Sequence, residues 1–343
     1  MLLISSNHGY DVAINPSKDF ICDFFTANNF SKVLVITDEN VASLYSDDIA
    51  SFFSGIDYKT MILPEGEKSK SFEWLMKIYD ECVSFGLCRT DLIAAFGGGV
   101  VGDIAGFAAS SFCRGVNFIQ IPTTLTAQVD SSIGAKVGIN LPQGKNLVGG
   151  FYRPKAVFTD TGFLSSLPDK VFTDGMAEVI KYSLISDSEL FEILASAETL
   201  QPYLTDITER CCRIKLNVVN KDELDLGFRM ILNFGHTLGH AVEKYFDYNK
   251  YTHGECVAMG MYHMSRVSEK HGFCHGVSQR LKSLLMKFSL PIELTAPIDE
   301  LIPIISADKK RLGGVTNLIL LSGIGDVFIQ PVENSKLGDF LRI

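Results

Sequence analysis

The chain has 343 residues, 46% hydrophobic and 21% charged, with a formal net charge of −9 at pH 7. This length suggests about two globular domains, and the acidic balance argues against nucleic acid or an anionic membrane as partner, since both need a basic face. The eight cysteines include no C-x-x-C pair, the start MLLISSNHGYDV lacks a basic region and a long apolar run, and no apolar stretch reaches the ~18 residues of a membrane span, so reduced thiols, a cytoplasmic location and no membrane partner are expected.

In chain order, residues 32–37 are a β-branched run ending at Asp38 and read as a buried parallel strand. Residues 58–63 are a second strand, closed by Pro64-Glu65-Gly66. Residues 71–85 place Phe72, Leu75, Met76, Ile78, Tyr79, Cys82 and Val83 at helical spacing. Further strands are predicted at 91–96, 116–121 and 156–159. The alternation implies an α/β, Rossmann-like nucleotide-binding domain with a parallel sheet. Beyond Leu167-Pro168 the pattern turns helical, over 174–184, 207–220, 231–245, 256–271 and 277–288, with short β patterns at 317–321 and 326–329. The predicted division is an α/β domain over 1–160 and a mostly α-helical, metal-binding domain over 161–343.

Charge is unevenly spread: residues 104–181 carry seven Lys and Arg against five Asp and Glu. A basic middle in an acidic chain suits a small anionic substrate. Just before it, Gly97-Gly98-Gly99-Val100-Val101-Gly102 satisfies G-x-G-x-x-G between a predicted strand and a predicted helix. There, backbone N–H groups and the helix N-terminus can hold a dinucleotide pyrophosphate; a tight turn without ligand is the alternative. The acidic residue expected about 20 positions on is missing, because that region reads Asn117-Phe118-Ile119-Gln120. Asp38, with Asn40 two residues on, is better placed to read a ribose, although a plain turn uses Asp equally well. Glu65-Gly66-Glu67-Lys68-Ser69-Lys70 is a second polar turn after a strand, and such turns line the ligand crevice of parallel sheets.

His236 and His240 lie four apart on one predicted helical face, and His253 begins the next helix. Three of the seven histidines within 18 residues point to a metal site, a satisfied structural role being the alternative for each; a catalytic zinc usually takes three His or carboxylate ligands, the third here coming from another element. Glu178 is the expected carboxylate, since it stands in the apolar run Gly175-Met176-Ala177-Glu178-Val179-Ile180-Lys181; an i, i+3 ion pair with Lys181 is its other reading. Residues 121–140 are rich in hydroxyls and glycine, with Asp130 and Lys136 the charges among them, and Lys145-Asn146 follows. Lysines in such surroundings suggest anion contacts, solvated loops being the alternative. Arg114, in Cys113-Arg114-Gly115, is similarly set.

Together, residues 122–140, 144–152, 177–182, 233–243 and 253–261 resemble 3-dehydroquinate synthases in order and spacing, over nearly the whole chain. The resemblance implies a cytoplasmic, commonly homodimeric lyase that uses catalytic NAD and one divalent metal, zinc or cobalt. Such an enzyme converts a small phosphosugar, 3-deoxy-D-arabino-heptulosonate 7-phosphate, to 3-dehydroquinate and phosphate in the shikimate route. It also implies metal ligands Glu178, His236 and His253. NAD contacts would be Asp38, Asn40, Glu65, Gly66, Glu67, Lys68, Ser69, Lys70, Gly99, Val100, Val101, Gly102, Asp103, Thr123, Thr124, Phe158, Thr159, Asp160 and Thr161, with Lys136 and Lys145 nearby. Catalytic roles fall to Asp130, Lys136, Lys181 and His240; substrate contacts fall to Lys145, Asn146, Lys215, Arg229 and Asn233, to Arg114 reaching a neighbouring subunit, and to Lys309 or Lys310. Ala135, where the family usually has a second glycine, and Phe112-Cys113 before Arg114 depart from the pattern without touching an expected ligand. Another sugar phosphate cyclase and a metal-dependent polyol dehydrogenase are the competing readings within this plan; an NAD-binding sensor is a third.

Overall fold

Strand and helix alternate along the N-terminal half of the computed structural model, which describes residues 1–309 and 314–343. The order is β1 (Leu2–Ser5), β2 (Asp11–Ile14), α1 (Lys18–Asn28), β3 (Lys32–Asp38), α2 (Glu39–Phe52), β4 (Asp57–Leu63), α3 (Phe72–Ser84), β5 (Leu92–Gly97), α4 (Gly99–Ser111), β6 (Asn117–Pro122), β7 (Lys136–Leu141), β8 (Gly144–Phe151) and β9 (Ala156–Thr159). Helices then dominate: α5 (Asp169–Ser186), α6 (Ser188–Ser196), α7 (Leu204–Lys221), α8 (His236–Tyr245), α9 (His253–Lys270), α10 (Val277–Lys287) and α11 (Ile298–Lys309), before the ribbon β10 (Val315–Gly323) with β11 (Asp326–Glu333) and α12 (Leu337–Leu341). Lys310 lies outside the described residues, as does the side chain of Lys309.

The chain forms two compact units, Met1–Leu167 with Leu204–Asn220, and Pro168–Tyr203 with Lys221–Ile343. In the first, seven strands make one sheet in the order β1-β2-β9-β6-β5-β3-β4. All neighbours are parallel except the edge pair β1 and β2. Apolar clusters cover both faces, Ile104, Ala105 and Phe118 in one and Val33, Val35 and Phe96 in the other. This explains why β3 and β5 are unbroken apolar runs rather than alternating ones. Parallel pairing also sets Asp38, Pro64, Gly98, Thr123 and Asp160, which follow or end β3, β4, β5, β6 and β9, along one edge of the sheet.

The structure differs from the sequence expectation in three places. Helix α7, expected among the C-terminal helices, belongs to the first unit, where Cys212 and Leu216 pack with Ile4, Val12 and Val157. Residues 136–151, for which the sequence predicts no element, form an antiparallel hairpin, β7 with β8. The helix predicted over 231–245 is broken: a 3-10 turn, Phe228–Asn233, precedes Gly235, whose φ of +79° ends one segment before α8 starts.

In the second unit α8 and α9 approach backbone to backbone through glycine. A Cβ on Gly239 would lie 3.1 Å from the Cys256 carbonyl, and one on Gly260 would strike the carbonyl of Gly235. Gly260→Ala is therefore expected to destabilise the protein by ~1–3 kcal/mol through forced helix separation, measured by urea unfolding. The thiols give a second check. All eight cysteines are free, with Cys88 and Cys113 exposed, while burial pushes Cys82 and Cys212 up to about 12. A thiol reagent at pH 8 is expected to label Cys88 and Cys113 in the native state and to reach Cys82 and Cys212 only on unfolding, scored by mass spectrometry.

Candidate functional site

In the second unit, residues 175–185 of α5 are all buried, Glu178 and Lys181 among them at 1% and 2% exposure. A carboxylate in that position needs cations around it. Its two oxygens divide the task. Oε2 lies 2.5 Å from Lys181 Nζ, and Oε1 lies 3.3 Å from both His236 Nε2 and His253 Nε2. The ion pair and the metal-ligand arrangement that the sequence leaves as alternatives are thus present together. Burial alone would raise the Glu178 pKa, but Lys181 and the two imidazoles hold it well below the usual carboxylate range.

Each imidazole is oriented from behind. His236 opens α8, and its Nδ1 lies 3.2 Å from the Phe234 carbonyl oxygen. His253 opens α9 after the Thr252–Glu255 capping box, and its Nδ1 lies 3.4 Å from Glu243 Oε1. With Nδ1–H directed at an acceptor, each ring offers its Nε2 lone pair towards Glu178. Three acceptors converging on one point need a shared cation. Ligand atoms on a tetrahedral metal with bonds of about 2.0–2.1 Å stand about 3.3–3.4 Å apart, and the histidine nitrogens lie 3.3 Å from Glu178 Oε1, all three atoms within 4.8 Å of one another. These residues fit one divalent metal. Burial disfavours a charge on His253, yet Glu178 and Glu243 outweigh it and push the ring up to about 10.

His240 lies 5.4 Å from His236 between ring centroids; loss of solvent around the ring and the neighbouring imidazoles lower its pKa to about 3, so it is neutral at pH 7. Asn233 ends the 3-10 turn before the cluster. Arg229 is buried at 3% exposure; its Nη1 donates to the Glu223 carbonyl, and its backbone N–H, with those of Leu226 and Gly227, donates to the Asp222 carboxylate. Two of these supporting residues, Glu243 and Asp222, are not anticipated from sequence. Glu243 has a legible signal, lying three and seven residues after His240 and His236 on one face of α8.

In the first unit the glycine loop joins β5 to α4 as expected, and no side chain caps the N-terminus of α4. A Cβ on Gly99 would meet Ser131 Oγ at 2.8 Å and one on Gly102 would meet Gln120 Oε1 at 2.5 Å, so neither position admits a larger residue without movement. Uncapped N–H groups at the end of a parallel strand suit a pyrophosphate, and the dinucleotide fits here. Val100 lies in the first turn, and the Val101 side chain packs into the core. Asp38 caps α2 through Val41 N–H, the plain turn role, and burial raises its pKa. Asn40 Nδ2 donates to Glu65 Oε2 at 2.6 Å. Gly66, at φ +83°, and Glu67, Lys68 and Ser69 make a short 3-10 turn in which the Ser69 hydroxyl donates to the Pro64 carbonyl. Thr123 and Thr124 follow β6, Phe158 and Thr159 are buried at the end of β9, and the Asp160 carboxylate accepts from Gly162 N–H. The Thr161 N–H and hydroxyl both donate to Asn15 Oδ1.

Several expected contacts meet one another. Lys70, 4% exposed, donates to Asp103 Oδ2 at 2.6 Å and Asn146 Oδ1 at 2.5 Å. Burial raises the Asp103 pKa and Lys70 opposes the rise. Lys215 of α7 donates to both the carbonyl and the carboxylate of Asp130 at 2.7 Å. Lys136 and Lys145 stand on the β7–β8 hairpin. Arg114, at φ +62°, follows α4 in a turn with Cys113 at φ +50°.

These arrangements agree with comparisons to known proteins. The family models described as 3-dehydroquinate synthase N-terminal and C-terminal match residues 60–174 and 175–311. The 3-dehydroquinate synthase of Clostridium acetobutylicum is 48% identical over 319 residues, 91% of this chain and 90% of that protein. Among solved structures, 2-epi-5-epi-valiolone synthase from Streptomyces hygroscopicus, with NAD+ and Zn2+ bound, superposes with a TM-score of 0.87 at 26% identity, over 99% of this chain and 98% of the other. A 2-deoxy-scyllo-inosose synthase complexed with carbaglucose-6-phosphate, NAD+ and Co2+ gives 0.84 at 26% identity, over 99% of each chain. The chain belongs to the 3-dehydroquinate synthase family.

Proposed function

We propose that this protein converts 3-deoxy-D-arabino-heptulosonate 7-phosphate to 3-dehydroquinate and inorganic phosphate, borrowing NAD+ and returning it in each turnover. The observation that carries the reading is the convergence of Glu178, His236 and His253 at metal-ligand spacing in a chain of this family. It is supported by the uncapped glycine loop and by relatives named for this activity. Among the described residues no helix is long and apolar enough to cross a membrane. We place the enzyme in the cytoplasm, as a homodimer in which Arg114 serves the neighbouring subunit.

Zinc or cobalt would be held by Glu178, His236 and His253 and would supply Lewis acidity; NAD+ would be held by the turns after β3, β4, β5 and β6 and would supply a reversible hydride acceptor. The remaining work belongs to side chains. Phe234 and Glu243 fix the tautomers of the two histidines, so their Nε2 atoms present lone pairs. Lys181 keeps Glu178 ionised and, as a buried ammonium, orients an oxygen of the substrate. His240, neutral at pH 7, accepts or donates a proton at a substrate hydroxyl. Lys136, Lys145, Asn146, Asn233 and Arg229 bind the phosphate and carboxylate; Arg229 is suited to a bidentate contact, and its backbone is already fixed by Asp222. Lys215 sets the Asp130 carboxylate in place to accept a hydroxyl proton.

Purified protein with NAD+, Zn2+ or Co2+ and the heptulosonate phosphate is expected to release phosphate stoichiometrically without accumulating NADH, read by a phosphate assay and absorbance at 340 nm. Activity that survives both chelation and removal of bound NAD would end this reading, and faster turnover of another heptulose phosphate would reassign the substrate. Glu178→Ala is expected to cut the rate by at least about a hundredfold through metal loss. Glu243→Ala is expected to weaken metal binding by roughly 10–100-fold and to alter the visible spectrum of the Co2+ form, while Glu243→Gln, which keeps an acceptor for the His253 N–H, loses less. Chelator competition gives the affinities.

A further inference from the structure

The ladder between β7 and β8 contains a fault. Ile139 pairs with Val148 and Leu141 with Gly144, so the single residue Asn140 faces three, Lys145, Asn146 and Leu147. The surplus bulges out of the hairpin, and Asn146 takes a φ of +56°, a left-handed conformation that Asn tolerates better than most residues. Both residues expected to contact the phosphosugar from this strand, Lys145 and Asn146, lie in the bulge.

Asn140 is placed to hold it. Its backbone N–H leaves the hairpin and donates to the Lys70 carbonyl at 2.8 Å. Its side-chain Nδ2 donates to Glu67 Oε2 at 2.6 Å, and its Oδ1 accepts the backbone N–H of Asn146 at 2.8 Å. A neutral amide can donate to a carboxylate and accept from a backbone amide at once; neither a carboxylate nor an aliphatic side chain can. Lys70 closes the arrangement from the other side, with its ammonium on Asn146 Oδ1. Glu67 and Lys70 belong to the turn after β4, one of those expected to hold the dinucleotide.

We propose that Asn140 is a positioning residue for the phosphosugar: it fixes the bulge that presents Lys145 and Asn146 and ties it to the dinucleotide turn through Glu67 and Lys70. The inference rests on the functional reading above. Because the amide acts through Asn146 rather than on reacting atoms, its loss falls on binding. Asn140→Ala is expected to raise KM for the heptulosonate phosphate roughly tenfold or more while kcat at saturating NAD+ changes less than about threefold, with the melting temperature unchanged. Asn140→Asp sets a carboxylate against Glu67 and is expected to be worse than Ala. Adding Glu67→Gln to Asn140→Asp reverses the polarity of the pair and is expected to restore at least about half of the lost kcat/KM. That double variant changes no side-chain length and keeps the test usable where Asn140→Ala folds poorly.

An active wild-type chain whose Asn140→Ala variant keeps its KM overturns this proposal alone, as does a double variant no better than Asn140→Asp. A wild-type chain that releases no phosphate overturns the functional reading, and this proposal with it.

Discussion

A single buried carboxylate organises the second unit. Glu178 sits on a helical turn with no access to water, and desolvating an unpaired ion costs several kcal/mol even after relaxation. Such a group persists only where cations surround it. Lys181, one turn along α5, answers one oxygen, and the other is left to two imidazoles from α8 and α9. Those helices reach it because Gly235, Gly239 and Gly260 let their backbones meet. The placement of both histidines therefore answers one electrostatic demand.

The sheet edge of the first unit follows a different logic. Backbone N–H groups and short polar turns gather there, and parallel pairing lines them up regardless of their side chains. What the side chains add is linkage. Asn40 with Glu65, Lys70 with Asp103, and Lys215 with Asp130 each join two elements before any ligand arrives. Turns that would otherwise need ordering on binding are in this way ordered beforehand.

Much of this was legible in the sequence, for identifiable reasons. The strands β3 and β5 are apolar runs because helices cover both sheet faces, and buried runs carry the strongest signal. Glu178 betrayed itself as a charge inside an apolar segment. The hairpin β7–β8 did not, because Gly138 and Gly149 erase the β-branched signature at the points where the strands press together. The break at Gly235 was hidden in apolar spacing that fits a continuous helix over 231–245; a residue without a Cβ is a tertiary requirement there, because Met261 and the Val257 carbonyl leave no room for one. The allegiance of α7 was also unreadable, because amphipathic spacing says which face is buried but not against what. Asp38 remained double-edged, since a ribose reader and a helix cap need the same carboxylate in the same place.

The path of the chain has a consequence for how the protein is made. Residues 1–167 cannot complete the first unit, since the cluster around Ile4, Tyr10, Val12, Ile14, Ile133 and Val157 lacks Cys212 and Leu216 until α7 exists. During synthesis from the N-terminus, residues 168–203 of the second unit leave the ribosome before that helix does. The sheet must wait with an apolar face uncovered while a segment destined for the other unit passes by. Nascent chains of this topology carry a window of exposure that a protein with two consecutive domains avoids, and its length is set by the 36 residues between Pro168 and Tyr203.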